Sequence, residues 1–464
     1  MKIKSIIILS LLCFACKNKQ DDLVITQVNL YEQGEDLPGG EYSTLSDGVL
    51  AFNKAFISLN GDEKDDFFTG NSLFDKDWVI APASTTARDG LGPFFNAKAC
   101  GTCHRTDGRG RPPVFNGEID HGLLLRLSIP GKGEHGGPKP HPVYGDQLQD
   151  QSIPGISRKG LFNIDYEAIN GRYDDGTSYT LLKPLYRIRE ENYGQLPSDI
   201  MISARVAPQM IGLGLLEAIN EAELLTKVDE FDNDQDGISG KANYPWDKVN
   251  QTYTLGRFGW KANQPNLRQQ NADAFLGDIG ITTSINPVEN CIEGDCENAP
   301  NGGSPEIRDE LLDKVEVYSQ SLSPPYRKDA QEDNVLLGKQ IFKSINCTGC
   351  HTQSYTTGRH KISALSNQKI FPYTDLLLHD MGENLADNRP EFDANGREWK
   401  TPPLWGIGKF SVVSNHTRYM HDGRARNLEE AILWHGGEAE QSVKEFKALE
   451  KQERDLLITF LNSL

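Results

Sequence analysis

Long apolar runs are almost missing from this chain of 464 residues. One run of about twelve residues stands near the start, short of the ~20 that a membrane-crossing helix needs, and no later segment comes closer. Positive charge is in deficit as well: 48 Lys and Arg face 66 Asp and Glu, a formal charge of −18. Such a surface repels phosphate backbones and excludes nucleic acid as an expected partner. The apolar fraction is low at 37% and glycine slightly high at 44 residues. Otherwise the composition is that of an ordinary globular protein. The length allows two or three domains, each able to bury its own core.

Cysteine is scarce too, with eight in the chain, and their placement is the main signal. Four lie in Cys100-Gly-Thr-Cys103-His104 and Cys347-Thr-Gly-Cys350-His351. Two thiols at that separation suit thioether bonds to porphyrin vinyl groups, and the histidine that follows suits the proximal side of an iron. At this chain's cysteine and histidine frequencies a CxxCH motif arises by chance roughly 0.003 times per sequence. Two of them imply two covalently bound haem c groups. The competing chemistry, a zinc ribbon, sets its pairs ~15–20 residues apart and has no use for a histidine after each. A thioredoxin-type disulfide would need a βαβ setting and no histidine. Cys291 and Cys296 share a short loop that could close as a disulfide in an oxidising compartment.

At the N-terminus, Lys2, Lys4, the apolar stretch Ile6 to Leu12 and the small Ala15 predict an export signal. Cys16 follows directly, then a polar tether over 17–22, which resembles a bacterial lipoprotein signal with Cys16 carrying lipid. Cys13 and Phe14 depart from the usual aliphatic and small residues, so a plain signal peptide cut nearby is the alternative. The expected location is the periplasm or cell envelope, with the N-terminal lipid as the only membrane attachment. Export agrees with haem attachment, which takes place outside the cytoplasm. Cys13 leaves with the signal, and no thiol is left over.

The predicted organisation is a signal peptide at 1–16 and a tether and extension at 17–90. A first cytochrome domain with a large insertion follows at 91–325, and a second at 330–464. Residues 23–90 are polar with little periodicity, and glycine and proline crowd 105–200, predicting loops and short strands. Met210 opens a compact apolar segment predicted as a buried helix. Ile307, Leu311, Leu312, Val315 and Leu322 form the stripe of an amphipathic helix that stops at Ser323-Pro-Pro325. A short helix through Val335 and Phe342 leads into the second motif, and Phe446, Leu449, Leu457, Phe460 and Leu464 mark a closing helix. Short helix, CxxCH, loops and closing helix is the plan of a class I cytochrome c domain. The expected fold is therefore mainly α: two such domains, the first with a long loop-rich insertion containing short strands.

Asn427 is a good N-cap for a helix that carries Leu428, Ala431, Ile432 and His435 on one face. A histidine there is either a satisfied core residue or the distal ligand of the second haem, and bis-histidine ligation lowers a haem's potential relative to His/Met. The whole segment from His421 to His435 resembles the part of bacterial di-haem cytochrome c peroxidases and MauG-type enzymes that bears the distal ligand of their electron-transfer haem. The family commonly has Met at that position, or Tyr in MauG. Gly108 to Pro113, Met210 to Glu217, Phe258 to Pro265, Phe275 to Ile281, Pro372 to Met381 and Thr401 to Gly406 are similar to one branch. Its members are di-haem oxidoreductases carrying the labels peroxidase and thiol oxidoreductase. The resemblance runs from about residue 30 to the end. It implies an electron-transfer haem on His351 and His435 and a reactive haem on His104, meeting a small oxidant and fed by an electron-donor protein. Thiol oxidation finds no support, because the CxxC thiols are spent on haem.

For the first iron, His121, His135, His141 and Met210 are candidate sixth ligands, with Met210 favoured; each is otherwise ordinary packing. By analogy with the family's catalytic glutamate, Glu217 is a candidate acid–base residue, against a structural hydrogen bond. Trp260 is a candidate relay between the haems, against a core role. Asp232, Asp234, Asp236 and the Ile238 carbonyl match the first half of an EF-hand-type calcium loop with Gly237 at position 6. The glutamate due at position 12 is replaced by Asn243, so a solvated acidic turn is the alternative. Two rival functions stand beside the oxidoreductase. One is a pure electron-transfer cytochrome, the other an electron-accepting partner of an outer-membrane metal-uptake system.

Overall fold

Each CxxCH motif is preceded by a helix that crosses a later helix at a glycine. In this computed structural model, which describes residues 30–464 except 120, 293, 295 and 297, the first is Gly61–Asp75. The predicted signal and Cys16 lie outside the described residues. Asn60 caps this helix, accepting from the Glu63 amide at 2.9 Å while Glu63 reaches back to the Asn60 amide at 2.8 Å. Residues 61–75 are too weakly periodic to predict a helix, and this capping box is the signal that marks it. The helix crosses Asp309–Ser321 at Gly70, where any side chain would strike the Lys314 carbonyl. In the second half, Asp333–Ser344 crosses Lys451–Ser463 at Gly338, where a side chain would strike the Leu456 carbonyl.

Four residues beyond each glycine stands a phenylalanine in the same relation to its histidine. Phe74 lies 5.2 Å from Tyr318 and 5.9 Å from His104 between ring centroids. Phe342 lies 5.3 Å from Phe460 and 6.0 Å from His351. One packing device is thus built twice.

The expectation of a mainly α fold is wrong. Helix accounts for 27% of the chain and strand for 18%. Two twelve-residue strands, Leu161–Arg172 and Ser178–Arg189, pair along their whole length as a hairpin. Leu123–Lys132 lies between Met201–Val206 and Pro138–Lys139 in a three-stranded sheet. Alternation is the reason: Leu123, Leu125 and Leu127 are buried, while Leu124 and Arg126 on the opposite face are half-buried. The glycine and proline that suggested loops sit in the turns around these strands.

Segments far apart in the described chain pack on one another. The hairpin reaches over the second half, where Tyr173 Oη donates to Glu429 at 2.6 Å and Arg454 donates to Asp175 at 2.7 Å. Glu35 is fully buried between Lys339 at 2.5 Å and Arg327 at 3.4 Å. The main apolar cluster runs from Ala51 to Leu464, and a second, around Phe275 and Leu312, backs the first motif. Among the described residues no helix is long and apolar enough to cross a membrane.

Candidate functional site

The two CxxCH motifs edge two cavities. One, of about 220 Å³, is lined by Cys100, Cys103 and His104; the other, of about 200 Å³, by Cys347, Cys350 and His351. Each histidine is fixed from behind by a backbone carbonyl: His104 Nδ1 lies 2.7 Å from Pro208 O, and His351 Nδ1 lies 2.9 Å from Tyr373 O. With Nδ1 donating, Nε2 is the nitrogen left for a metal. Burial pushes both imidazoles down to about 4, so they are neutral at pH 7, the form that ligates.

His435 ends the helix Leu428–Trp434, which Asn427 caps through the Glu430 amide at 2.8 Å. It lines the second cavity together with His351, its Nδ1 lying 2.7 Å from Ala431 O and its pKa lowered by burial. Burial also raises the Cys100 and Cys347 thiols to about 12, which leaves them protonated and poor nucleophiles. Paired thiols and a neutral imidazole at the edge of a mostly apolar cavity are a donor set that fits haem.

The two cavities share a wall. Trp260, Gln209, Lys400, Pro402 and Pro403 line both. Trp260 Nε1 donates to Val206 O at 2.9 Å, and the Arg109 guanidinium lies 5.1 Å from its ring centroid. Over residues 34–464 the sequence matches the family described as "Di-haem oxidoreductase, putative peroxidase". The chain belongs to the di-haem oxidoreductases. Haem is the cofactor this family carries, and no curated protein matches the chain.

Of the residues the sequence singles out in this di-haem oxidoreductase, the first cavity takes in Met210 and His121. Met210 is buried and donates its amide to Asp107 O at 2.9 Å; the helix it was expected to open begins three residues later, at Leu213–Glu217. His121 Nδ1 accepts from the Leu123 amide at 2.9 Å, and burial pushes its pKa down to about 4. His135 instead stacks on Trp246 at 3.9 Å, and His141 accepts the Val143 and Tyr144 amides. Glu217 lies outside the lining of both cavities. Its carboxylate accepts from the Leu267 amide at 2.8 Å and Gln320 at 2.6 Å, and faces His360 at 3.8 Å.

In the acidic loop, Asp232 and Asp234 meet Asp229, with ligand atoms within 4.8 Å of one another. Asp236 bonds the Ile238 amide at 2.8 Å, and the Gly237 amide donates to Asp232 at 3.1 Å. Asp229 precedes the loop pattern and escapes a template that starts at Asp232. Cys291 and Cys296 are joined as a disulfide with Cα atoms 5.6 Å apart. The sequence reading also misses His379, held between Asp375 at 2.9 Å and Glu438 at 2.7 Å beside Cys350. Burial opposes its charge, yet Asp375 keeps its pKa well above the ordinary value. Asp375 lies in a loop and His379 in the strand Leu378–Asp380, so no helical spacing marks the pair.

Proposed function

We propose that the chain is an exported, lipid-anchored di-haem c-type cytochrome with peroxidase-like activity. The observation that carries this is the shared wall of Trp260, Gln209, Lys400 and Pro402–Pro403 between two cavities, each edged by a CxxCH motif. Cys100, Cys103, Cys347 and Cys350 would hold the porphyrins by thioethers, and the Nε2 atoms of His104 and His351 would bind the irons. When bound, the haems supply one-electron chemistry and, where an axial position is open or displaceable, reaction with peroxide. His435, in the same cavity wall as His351, would be that site's second iron-binding histidine, which would make it the electron-transfer centre, supplied by a donor protein.

The first site is the reactive one on the chemistry of its wall. His121 spends its Nδ1 lone pair on an amide, so its ring proton sits on Nε2 and the side chain is a donor, not a ligand. Met210 offers only a weak, displaceable thioether. Trp260 stands on the route between the centres, and Glu217 braces the helix Leu267–Ala274. Residues 91–325 and 330–464 act as the two haem-bearing units. Asp229, Asp232 and Asp234 bind calcium, the hard cation that clustered carboxylates select.

Electron paramagnetic resonance of the oxidised and half-reduced protein tests this. A high-spin or newly opened haem after one-electron reduction, with peroxide turnover, is the expected result. Two low-spin haems that stay unchanged, with no turnover, would replace it with a non-enzymatic electron-transfer protein serving an envelope redox or metal-uptake partner.

A further inference from the structure

Among the described residues four lysines are buried: Lys159, Lys261, Lys339 and Lys400. Burying an ammonium is costly unless an anion or oxygen partners it. Lys159 has the Tyr144 carbonyl at 3.0 Å, Lys261 has Asp387 at 2.9 Å, and Lys339 has Glu35 at 2.5 Å. Lys400 alone makes no side-chain hydrogen bond or ion pair among the described residues. Asp375, the one acid that acts on it electrostatically, is already bonded to His379. Among the described residues Lys400 is also the only charged one that lines both cavities. Its strand, Glu398–Lys400, is pinned to the inter-cavity tryptophan by Lys400 N–H donating to Trp260 O at 2.9 Å. An unpaired cation held between two haem sites calls for an anion from within them, and porphyrin carries carboxylates.

We propose that Lys400 is a shared counter-cation for both haem sites, binding propionate carboxylate and coupling the two potentials. This rests on the di-haem reading. One positive charge facing two redox centres through low-dielectric walls favours the reduced form of each.

Lys400→Met and Lys400→Gln remove the charge, and Lys400→Arg keeps it. Haem content by pyridine haemochrome and by mass comes first, because a wild-type protein without two haems refutes the di-haem reading itself. With both haems present, each neutral variant should make reduction about tenfold less favourable at both centres. That is about 59 mV lower for a one-electron couple, with Lys400→Arg near wild type. Midpoints that do not move, or only one that does, overturn the sharing by Lys400 and leave the di-haem reading intact. If neither neutral variant folds, a redox-difference infrared spectrum of the wild type with 15N-lysine decides. A lysine band that shifts at both midpoints supports the proposal, and none at either overturns it.

Discussion

Replacing Glu35 by Gln removes an anion from a dry pocket while keeping its shape. The Glu35 side chain is 0% exposed, Lys339 1% and Arg327 2%, so two cations would be left without their carboxylate. Breaking a buried ion pair from one side costs about 3–5 kcal/mol, mostly from the uncompensated charge. Unfolding entropy of ~2.1 cal/mol/K per residue over a chain this long turns that into a fall in Tm of about 3–5 °C. The pH dependence carries a second signature. Burial lowers the pKa of Lys339 and Glu35 is the largest opposing influence, so Glu35→Gln lowers it further. Between that depressed value and the unfolded value near ~10.4 the unfolded chain binds more protons, so stability rises with pH across the window. The deficit of the variant should therefore shrink between pH 7 and pH 9.5 in urea or thermal titrations followed by circular dichroism. A loss below about 1 kcal/mol, or one that does not shrink, refutes the reasoning.

His435→Ala should convert the second haem from low to high spin in its paramagnetic resonance spectrum, and His435→Met should raise its potential; an unchanged spectrum would remove His435 from the iron. Burial raises Asp107 to about 6, so the folded state holds the extra proton and wild-type stability falls as pH rises through about 4–6. Asp107→Asn should flatten that slope, worth up to about 3 kcal/mol, as read by denaturation at both pH values. Calcium at 100 times its Kd should raise stability by about 2.7 kcal/mol, an effect absent in Asp232→Asn/Asp234→Asn; equal Tm with calcium and with chelator would exclude the ion. Gly338→Val should cost about 1–3 kcal/mol by overpacking against Leu456 and lower haem content at the second motif but not the first.

The sequence by itself determined what is local. Covalent haem chemistry demands two thiols and a histidine within five residues, so the motifs at 100–104 and 347–351, and with them the family, were legible in one dimension. The cap at Asn427 and the helical spacing up to His435 are local too, and the structure puts that histidine in the second cavity wall. Strand content was misread because composition was weighed over alternation: Leu123, Leu125 and Leu127 declare a strand that the surrounding glycines and prolines obscured. Only the tertiary structure decided the rest. Glu35 meets Lys339 across 304 positions, and Asn53 meets Asp107 across 54. Trp260 and Lys400 become one wall by a single backbone hydrogen bond between distant segments. Spacing encodes chemistry that one turn of chain can assemble, but cavities and buried charges belong to the packing of segments far apart, and no local pattern records which of them will meet.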